Sequence, residues 1–348
     1  TPAERDLHLA LYTGRILTLN HFGGAFSNLS GELLAAWRDR TVRCLLLKDL
    51  EQVGRYQAAA NRAPGEIRIY KSNFAFLPEA GTAIQWRFAE VDSILFEAST
   101  YSIVLTRGGD RLALSKLARK TDEVLAKLQE TLTSLRKNAA AALHGVFPFL
   151  SPDQLARLST AMPEGRSTPL AVLNEIHPKL ADALIGRAVD EPLQAYFEAL
   201  RSRATQEPLM AGFKFTRADE DETGAESSDP GGEKTPLFFW FFFPLPNQLA
   251  AWEAATGAGR ATYFFRAPSP FPASIASLTR GLASVNFRRE PVYLPDESLE
   301  RDPRFHRYAI GARKLPDLRS LRAAYVGRAI HSSLEEWRTQ MDALLAGL

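Results

Sequence analysis

The sequence has very little cysteine, no strong excess of either charge and no long apolar run. Its only thiol is Cys44, so the chain forms neither an internal disulfide nor a metal site built from several thiolates. The 42 Lys and Arg nearly balance the 40 Asp and Glu, and the net charge of +2 excludes a uniformly basic nucleic-acid-binding protein. Otherwise, 348 residues that are 45% hydrophobic are typical of a globular protein with two or three domains.

The most apolar stretch runs from Leu237 to Leu245, far shorter than the roughly 20 residues that a membrane-spanning helix needs. No secretory leader is visible, because Arg5 and Asp6 interrupt the first stretch. We therefore expect a cytoplasmic protein without a transmembrane segment. Cys44 lies in another short apolar run, residues 42–47, and we expect it to be a small buried hydrophobic residue.

Motifs that carry chemistry are also missing. The chain contains no phosphate-binding loop, no dinucleotide-binding glycine motif and no nucleophile elbow. Its histidines do not form a metal-binding pair at helical spacing; they are His8, His21, His144, His177, His306 and His331. Glu90 and Asp92 share one face of a strand, but nothing nearby in the sequence would shift the pKa of either carboxyl. We predict no catalytic residue, no metal site and no cofactor.

The first block, residues 5–140, combines short strands with a long helix. Leu7–Tyr12 and Arg15–Asn20 are two alternating segments around Thr13-Gly14, which predicts a β-hairpin. A helix is predicted near 30–37, with Ser30 as its N-cap. Strand signals follow from residue 66 to residue 114. Leucines then recur at steps of three and four from Leu114 to Leu135, which predicts an amphipathic helix that packs on the preceding strands.

The order of elements in residues 65–137 supports a family resemblance. It comprises Glu66–Tyr70, Phe74–Leu77, the stretch Arg87–Ile94, two strands around Gly108-Gly109 and the helix from Ser115. This order resembles the later part of a bacterial pleckstrin-homology-like (PH-like, GRAM-like) domain. The resemblance implies a strongly bent antiparallel sheet that is closed at one end by its C-terminal helix.

A complete PH-like domain has about seven strands, and six are recognisable in 65–114. We therefore expect the seventh from residues 42–47 or from the 7–20 hairpin. Lys71 is alone in its turn, so the basic loop that lipid-binding members use is not evident. The resemblance therefore implies protein binding or assembly rather than phosphoinositide binding.

The second block, residues 145–205, is predicted to be a small helical domain or linker. Ser151-Pro152-Asp153-Gln154 is a capping-box start with proline at the first helical position. Thr168-Pro169, His177-Pro178 and Asp190 mark the starts of further helices. We predict four short helices here.

The third block, residues 207–348, is predicted to be a second α+β domain with an antiparallel sheet. Leu237–Phe243 has apolar residues on both faces, which indicates a central strand covered twice. Leu249–Ala254 and Ala261–Arg266 predict a hairpin. The acidic segment 218–234 is rich in Gly, Ser and Pro, and we expect a mobile loop there. Capping by Ser332 or Ser333 predicts a C-terminal helix with Trp337 on its apolar stripe.

Two sets of candidate binding residues lie in this block. Residues 280–328 contain eleven Arg and Lys against six Asp and Glu, and arginine suits bidentate contacts with phosphate or carboxylate. The densest points supply four candidate anion-binding residues, Arg288, Arg289, Arg304 and Arg307, with a solvated basic face as the alternative. The aromatic strand supplies Phe239, Phe241 and Phe243 as a candidate pocket, with a buried central strand and membrane insertion as alternatives.

The sequence therefore predicts an α+β protein of three blocks: a PH-like sheet with a C-terminal helix, a helical block and a second antiparallel α+β block. We expect a non-enzymatic intracellular scaffold that binds partner proteins. Nucleic-acid or anionic-lipid binding by the Arg-rich 280–328 segment is the first alternative. An enzyme whose residues are scattered along the chain is the second.

Overall fold

A computed structural model describes residues 6–10, 15–47, 50–215, 237–254 and 261–347. These residues form an α+β fold in which every pair of strands is antiparallel, as the sequence predicts. The acidic segment 218–234 and the 255–259 turn, both singled out in the sequence, lie outside the described residues. No helix within the described ranges is both long enough and apolar enough to cross a membrane.

The strands are β1 Leu7–Ala10, β2 Ile16–Leu19, β3 Gln52–Ala60, β4 Ala63–Tyr70, β5 Asn73–Pro78, β6 Ile84–Arg87, β7 Ser93–Glu97, β8 Ser102–Arg107, β9 Asp110–Ser115, β10 Ser167–Pro169, β11 Met210–Phe215, β12 Leu237–Leu245, β13 Leu249–Ala254, β14 Ala261–Arg266 and β15 Tyr325–Ile330. The helices are α1 Phe26–Cys44, α2 Thr121–Val146, α3 Pro152–Ala161, α4 Leu170–Ile176, α5 Leu180–Ala188, α6 Glu191–Arg201, α7 Phe271–Ser284, α8 Glu290–Tyr293, α9 Asp296–Arg301, α10 His306–Lys314, α11 Pro316–Ala324 and α12 Leu334–Ala346.

The first sheet has seven strands in the order β6-β5-β4-β3-β9-β8-β7. Its inner face includes Ile67 and Phe76, and the first half of α2 covers that face with Val124 and Leu128. The expected source of the seventh strand was wrong. Residues 42–44 are the end of α1, and the 7–20 segments form a separate two-stranded sheet.

The seventh strand is β3, whose sequence gave no strand signal. Gly54 and three alanines, residues 58–60, have low β-propensity, but pairing along the whole length of β4 imposes the extended conformation. The predicted start of α1 was wrong for a similar reason. The helix begins at Phe26, four residues before Ser30, and the Ser30 hydroxyl donates to the Ser27 carbonyl inside the helix.

The second sheet contains β10 to β15 in sequence order and is covered on both faces. Alternate residues of β12 point to opposite sides, so Trp240 packs toward α7 and α11 while Phe241 packs toward the helices of the second block. The prediction of a central, doubly covered strand is confirmed. Because β10 pairs with β11, residues 145–205 share a sheet and a core with 207–348 rather than forming a core of their own.

Two helices join the sheets. α2 places Leu128 in the core of the first sheet and, four turns later, Leu143 in the core behind the second. α1 lies on the outer face of the first sheet, where Val42 and Leu45 share a core with Trp252 and Leu318 of the third block. The two sheets are therefore held as one packed body, with a space left between them.

Candidate functional site

That space is a cleft of about 860 Å³. All three blocks of the chain contribute to its walls. The contributing segments are the end of α1 and the residues after it (40–47 and Leu50), the β4–β5 turn with the start of β5 (71–73), residues 85–92, the second half of α2 (132–139), the segment from α3 to β10 (159–166), Phe215, the end of α7 with the residues after it (283–288), and the start of α10 (306–310).

The cleft is strongly basic, although the whole chain is nearly neutral. Its lining contains eight cationic residues, Arg40, Arg43, Lys71, Arg87, Arg136, Arg166, Arg288 and Arg307. Among the described residues, two carboxylates, Asp92 and Glu164, line the same space. Charges of one sign gathered in a cleft focus the electrostatic potential and attract anions.

Four of these arginines have no carboxylate partner in the described part of the chain. Within the described residues, no ion pair involves Arg40, Arg43, Arg136 or Arg288, whereas Arg166 lies 3.7 Å from Asp92. Arg40 and Arg43 are three residues apart on α1 and therefore project from neighbouring positions on its surface. Unpaired cations that share a cleft repel one another, so an anionic ligand would relieve this repulsion.

A buried ion cluster fixes α1, and with it Arg40 and Arg43. Glu66 of β4 is fully buried; its carboxylate accepts from Arg68 Nε at 2.6 Å and lies 2.8 Å from Arg55 Nη2. Arg38 of α1 reaches the same carboxylate at 3.4 Å. Burial raises the pKa of Glu66, but hydrogen bonds from Arg68 and Arg55 outweigh burial and hold that pKa below its usual value. The carboxylate is therefore ionised and ties α1 to the sheet.

A glycine joins the two sheets at the other side of the cleft. Arg87 Nη1, at the end of β6, donates to the Gly165 carbonyl at 3.3 Å, and the Gly165 amide donates to the Phe213 carbonyl of β11 at 2.7 Å. Gly165 has a φ of 76°, which favours glycine. A Cβ at this position would lie 2.2 Å from Arg87 Nη2.

One polar atom in the wall has no partner. The side-chain oxygen of Gln85, on the same strand as Arg87, is buried and accepts no hydrogen bond from any described protein group. Gln85 lines the cleft, although its oxygen is shielded from solvent, so a ligand reaches this atom only when the Gln85 side chain turns. A buried acceptor left unsatisfied costs about 1–3 kcal/mol, which makes this atom a natural contact for a ligand donor.

The predicted anion-binding arginines are divided. Arg288 and Arg307 line the cleft, and Arg307 also donates to the Tyr308 hydroxyl at 3.0 Å. Arg304 is instead exposed and forms an ion pair with Asp302 at 2.6 Å. Arg289 is the N-cap residue of α8 and is not among the residues that line the cleft.

Sequence reasoning missed most of the cleft. Five of its arginines, Arg40, Arg43, Arg87, Arg136 and Arg166, come from four separate segments, so no spacing in the chain connects them. The one available signal was the basic stretch of α1, where Arg38, Arg40 and Arg43 occur within six residues. Cys44 was expected to be buried; it is half-buried and lines the cleft.

The residues of the candidate aromatic pocket lie in the protein core and not in the cleft. Phe239, Phe241 and Phe243 are at most 4% exposed and belong to the core behind the second sheet. Phe197 of α6 packs edge-on against Phe241 and Phe243, with ring centroids 5.1 and 5.0 Å apart. These three residues therefore lie in the buried central strand that the apolar pattern of residues 237–243 predicts.

The described part of the chain contains no group of three or more His, Cys, Asp or Glu side chains placed to hold a metal ion. Comparison with known proteins gives no further direction, since no family model matches the sequence and no curated protein is significantly similar to it.

Proposed function

We propose that this protein is a non-catalytic binding protein that takes an anionic ligand into the basic cleft. The observation that carries the proposal is the set of four arginines, Arg40, Arg43, Arg136 and Arg288, that line the cleft without an ion-pair partner in the described residues. The volume of about 860 Å³ is in the range of small-molecule sites. In this proposal the seven-stranded sheet with α2 is a PH-like module that supplies one wall of the cleft.

Because Cys44 is the only cysteine in the sequence, the proposal can be tested by thiol alkylation without a cysteine being engineered. Cys44 lines the cleft, so a bound ligand should slow its alkylation by N-ethylmaleimide. We expect pyrophosphate and decyl phosphate, compared with sodium chloride at equal ionic strength, to slow the reaction several-fold in the full chain. Arg136→Gln/Arg288→Gln should remove this protection at the same ligand concentration, because losing two charge-assisted contacts of about 1.5–3 kcal/mol each weakens binding about a hundredfold or more.

A matched control removes the same charge elsewhere. Arg119 and Arg338 are exposed and do not line the cleft, so Arg119→Gln/Arg338→Gln should keep the protection of the original protein. Absence of protection by either anion, or equal protection in both double variants, would overturn the proposal.

A second candidate is partner-protein binding at the β7 edge of the first sheet. Leu95, Phe96 and Tyr101 are 62%, 40% and 60% exposed, and the rings of Phe96 and Tyr101 are in edge-on contact at 5.3 Å. Exposed apolar clusters and edge strands are common sites of protein association. This is the scaffold function expected from the PH-like resemblance.

The second candidate has its own test. A protein that co-purifies with the full chain from its native cell should be lost with Leu95→Lys and retained with Arg136→Gln/Arg288→Gln. Retention of that protein by the Leu95 variant would remove this candidate and leave the anion-binding proposal unaffected.

A further inference from the structure

Resting on the proposed function, we infer that the ligand of the basic cleft is a single-chain anionic amphiphile. Its anionic head contacts the arginines, a hydroxyl or amide beside the head donates to Gln85, and its aliphatic tail packs against leucines. Phosphorylated and carboxylated lipids with one acyl chain have this chemistry.

The first argument is the aliphatic part of the lining. Six leucines contribute to the cleft wall, four around the end of α1 and two on α2: Leu45, Leu46, Leu47, Leu50, Leu132 and Leu135. A cleft meant only for a small inorganic anion would need neither this apolar surface nor a volume of about 860 Å³. The wall therefore fits a ligand with a substantial aliphatic portion.

The second argument is that the arginines of the cleft wall are more exposed to solvent than its leucines. Arg40, Arg43 and Arg136 are exposed, whereas the lining leucines Leu46, Leu50 and Leu135 are only half-buried. The cations therefore lie toward solvent and the aliphatic groups lie deeper. An amphiphile that enters tail first keeps its charge at the arginines and buries its methylenes, which is the arrangement that the hydrophobic effect favours.

The third argument is that most aromatic rings in the cleft wall already pack against protein groups, which disfavours a nucleotide as the ligand. A nucleobase needs a free aromatic face for stacking. Phe88 is fully buried, and the guanidinium of Arg307 lies over the ring of Tyr308 at 4.8 Å. Phe215 packs edge-on against Phe213, which leaves the exposed imidazole of His306 as the remaining described ring of the lining.

Gln85 adds a requirement for a donor. Its buried side-chain oxygen has no protein partner, and the neighbouring cleft residue on the same strand face is Arg87. A ligand whose hydroxyl or amide N–H lies close to its anionic group can satisfy both residues. A plain alkyl phosphate satisfies only the arginine.

The experiment measures affinity by calorimetry on the full chain, below the critical micelle concentration, with ethyl, hexyl and decyl phosphate. We expect affinity to rise about fourfold for each methylene that becomes buried. Decyl maltoside and decyltrimethylammonium, which have the same tail without the anion, should bind far more weakly. Arg136→Gln/Arg288→Gln should lower the affinity of all three phosphates by the same factor.

Gln85 is tested with a matched pair of ligands. Decanoyl glycerol phosphate, which carries a hydroxyl beside its head, should bind more tightly than decyl phosphate, and Gln85→Leu should abolish this preference. The variant removes an unpaired acceptor, so the fold should not depend on it. An unchanged preference would overturn the assignment of Gln85.

The outcomes separate this inference from the proposed function. Equal affinity for ethyl and decyl phosphate overturns the amphiphile and leaves anion binding in place. Tighter binding of adenosine monophosphate than of decyl phosphate also overturns the amphiphile, in favour of a nucleotide. If no anion binds, both the inference and the proposed function fail.

Discussion

Glu66 shows how a single carboxylate determines the position of a helix. It is fully buried, and Arg38, Arg55 and Arg68 all lie within 3.4 Å of its oxygens. Two of these arginines are themselves buried, so the carboxylate is their counter-charge as well as their anchor. Removing one member of a buried ion cluster is costly because it leaves the others uncompensated.

We predict that Glu66→Gln lowers the free energy of unfolding at pH 7 by about 3–5 kcal/mol. The reason is that Arg38 would remain buried without a carboxylate among the described residues, while Arg68 would keep only the exposed carboxylate of Asp39, at 3.1 Å. Urea unfolding followed by circular dichroism measures the change. Glu97→Gln is the control, since Glu97 pairs with Arg111 at the surface, and its loss should cost far less stability than the loss of Glu66. Equal losses in the two variants would contradict the prediction.

The same carboxylate gives a pH dependence with a defined sign. The pKa of Glu66 is lower in the folded protein than its ordinary value of 4.5. Its ionised form therefore stabilises the fold fully above about pH 4.5, and this contribution is lost as pH falls through the lowered folded pKa. Unfolding measured between pH 7 and pH 3 should show a steeper loss of stability in the original protein than in Glu66→Gln. Parallel curves would rule out this contribution.

Gly165 is the second residue on which the cleft depends. We predict that Gly165→Ala lowers the free energy of unfolding, because alanine at a φ of 76° costs about 1–2 kcal/mol and its Cβ would also collide with the Arg87 guanidinium. The collision is separable from the backbone cost in a double-mutant cycle with Arg87→Ala. Relief of part of the loss in the double variant supports the contact, and strict additivity would exclude it.

At the scale of elements, α2 is the main mechanical link between the two sheets. Val124 and Leu128 pack in the core of the first sheet, and Ala139 and Leu143 pack in the core behind the second. The cleft residues Leu132, Leu135 and Arg136 lie between these two anchored halves. The helix therefore positions part of the cleft from both ends.

We predict that Ser134→Pro, at an exposed position between the two anchored halves of α2, weakens both stability and ligand binding. Proline inside a helix costs about 3 kcal/mol and kinks the chain, which would displace Arg136 from the cleft. Calorimetry with decyl phosphate and urea unfolding measure the two effects. Ser134→Ala is the matched control and should leave both nearly unchanged. Unaltered affinity in the proline variant would show that α2 does not need to be continuous.

Elements were predictable where local patterns and caps decide them. Ser151 and Asp190 cap α3 and α6 as their sequences indicate, and Ser333 caps α12. The pattern of β12 predicts a doubly covered strand because both of its faces are apolar. β3 was not predictable, since its glycine and alanines become a strand only through pairing with β4. Long-range pairing of this kind leaves no local trace.

At the scale of the whole molecule, composition conceals the cleft. The net charge of +2 is an average, and in the described part of the chain eight Lys and Arg line one cavity with two carboxylates. Arg288 and Arg307 were predictable as anion contacts because they lie in a basic segment of sequence. Arg40, Arg87 and Arg136 were not, because only the tertiary packing of α1, α2 and the two sheets brings them together.

The unpaired arginines of the cleft repel one another, and we expect this repulsion to lower the stability of the ligand-free protein. We predict that Arg136→Gln/Arg288→Gln raises the free energy of unfolding by about 0.5–1 kcal/mol in low-salt buffer free of phosphate and detergent, because repulsion among the cleft arginines is relieved. The gain should shrink at about 1 M sodium chloride, where the Debye length falls from about 30 Å to about 3 Å. Arg119→Gln/Arg338→Gln should show no such gain. A cleft variant that is less stable than the original protein at low salt would mean that these arginines stabilise the fold, and the case for an anionic ligand as their missing partner would lose its physical basis.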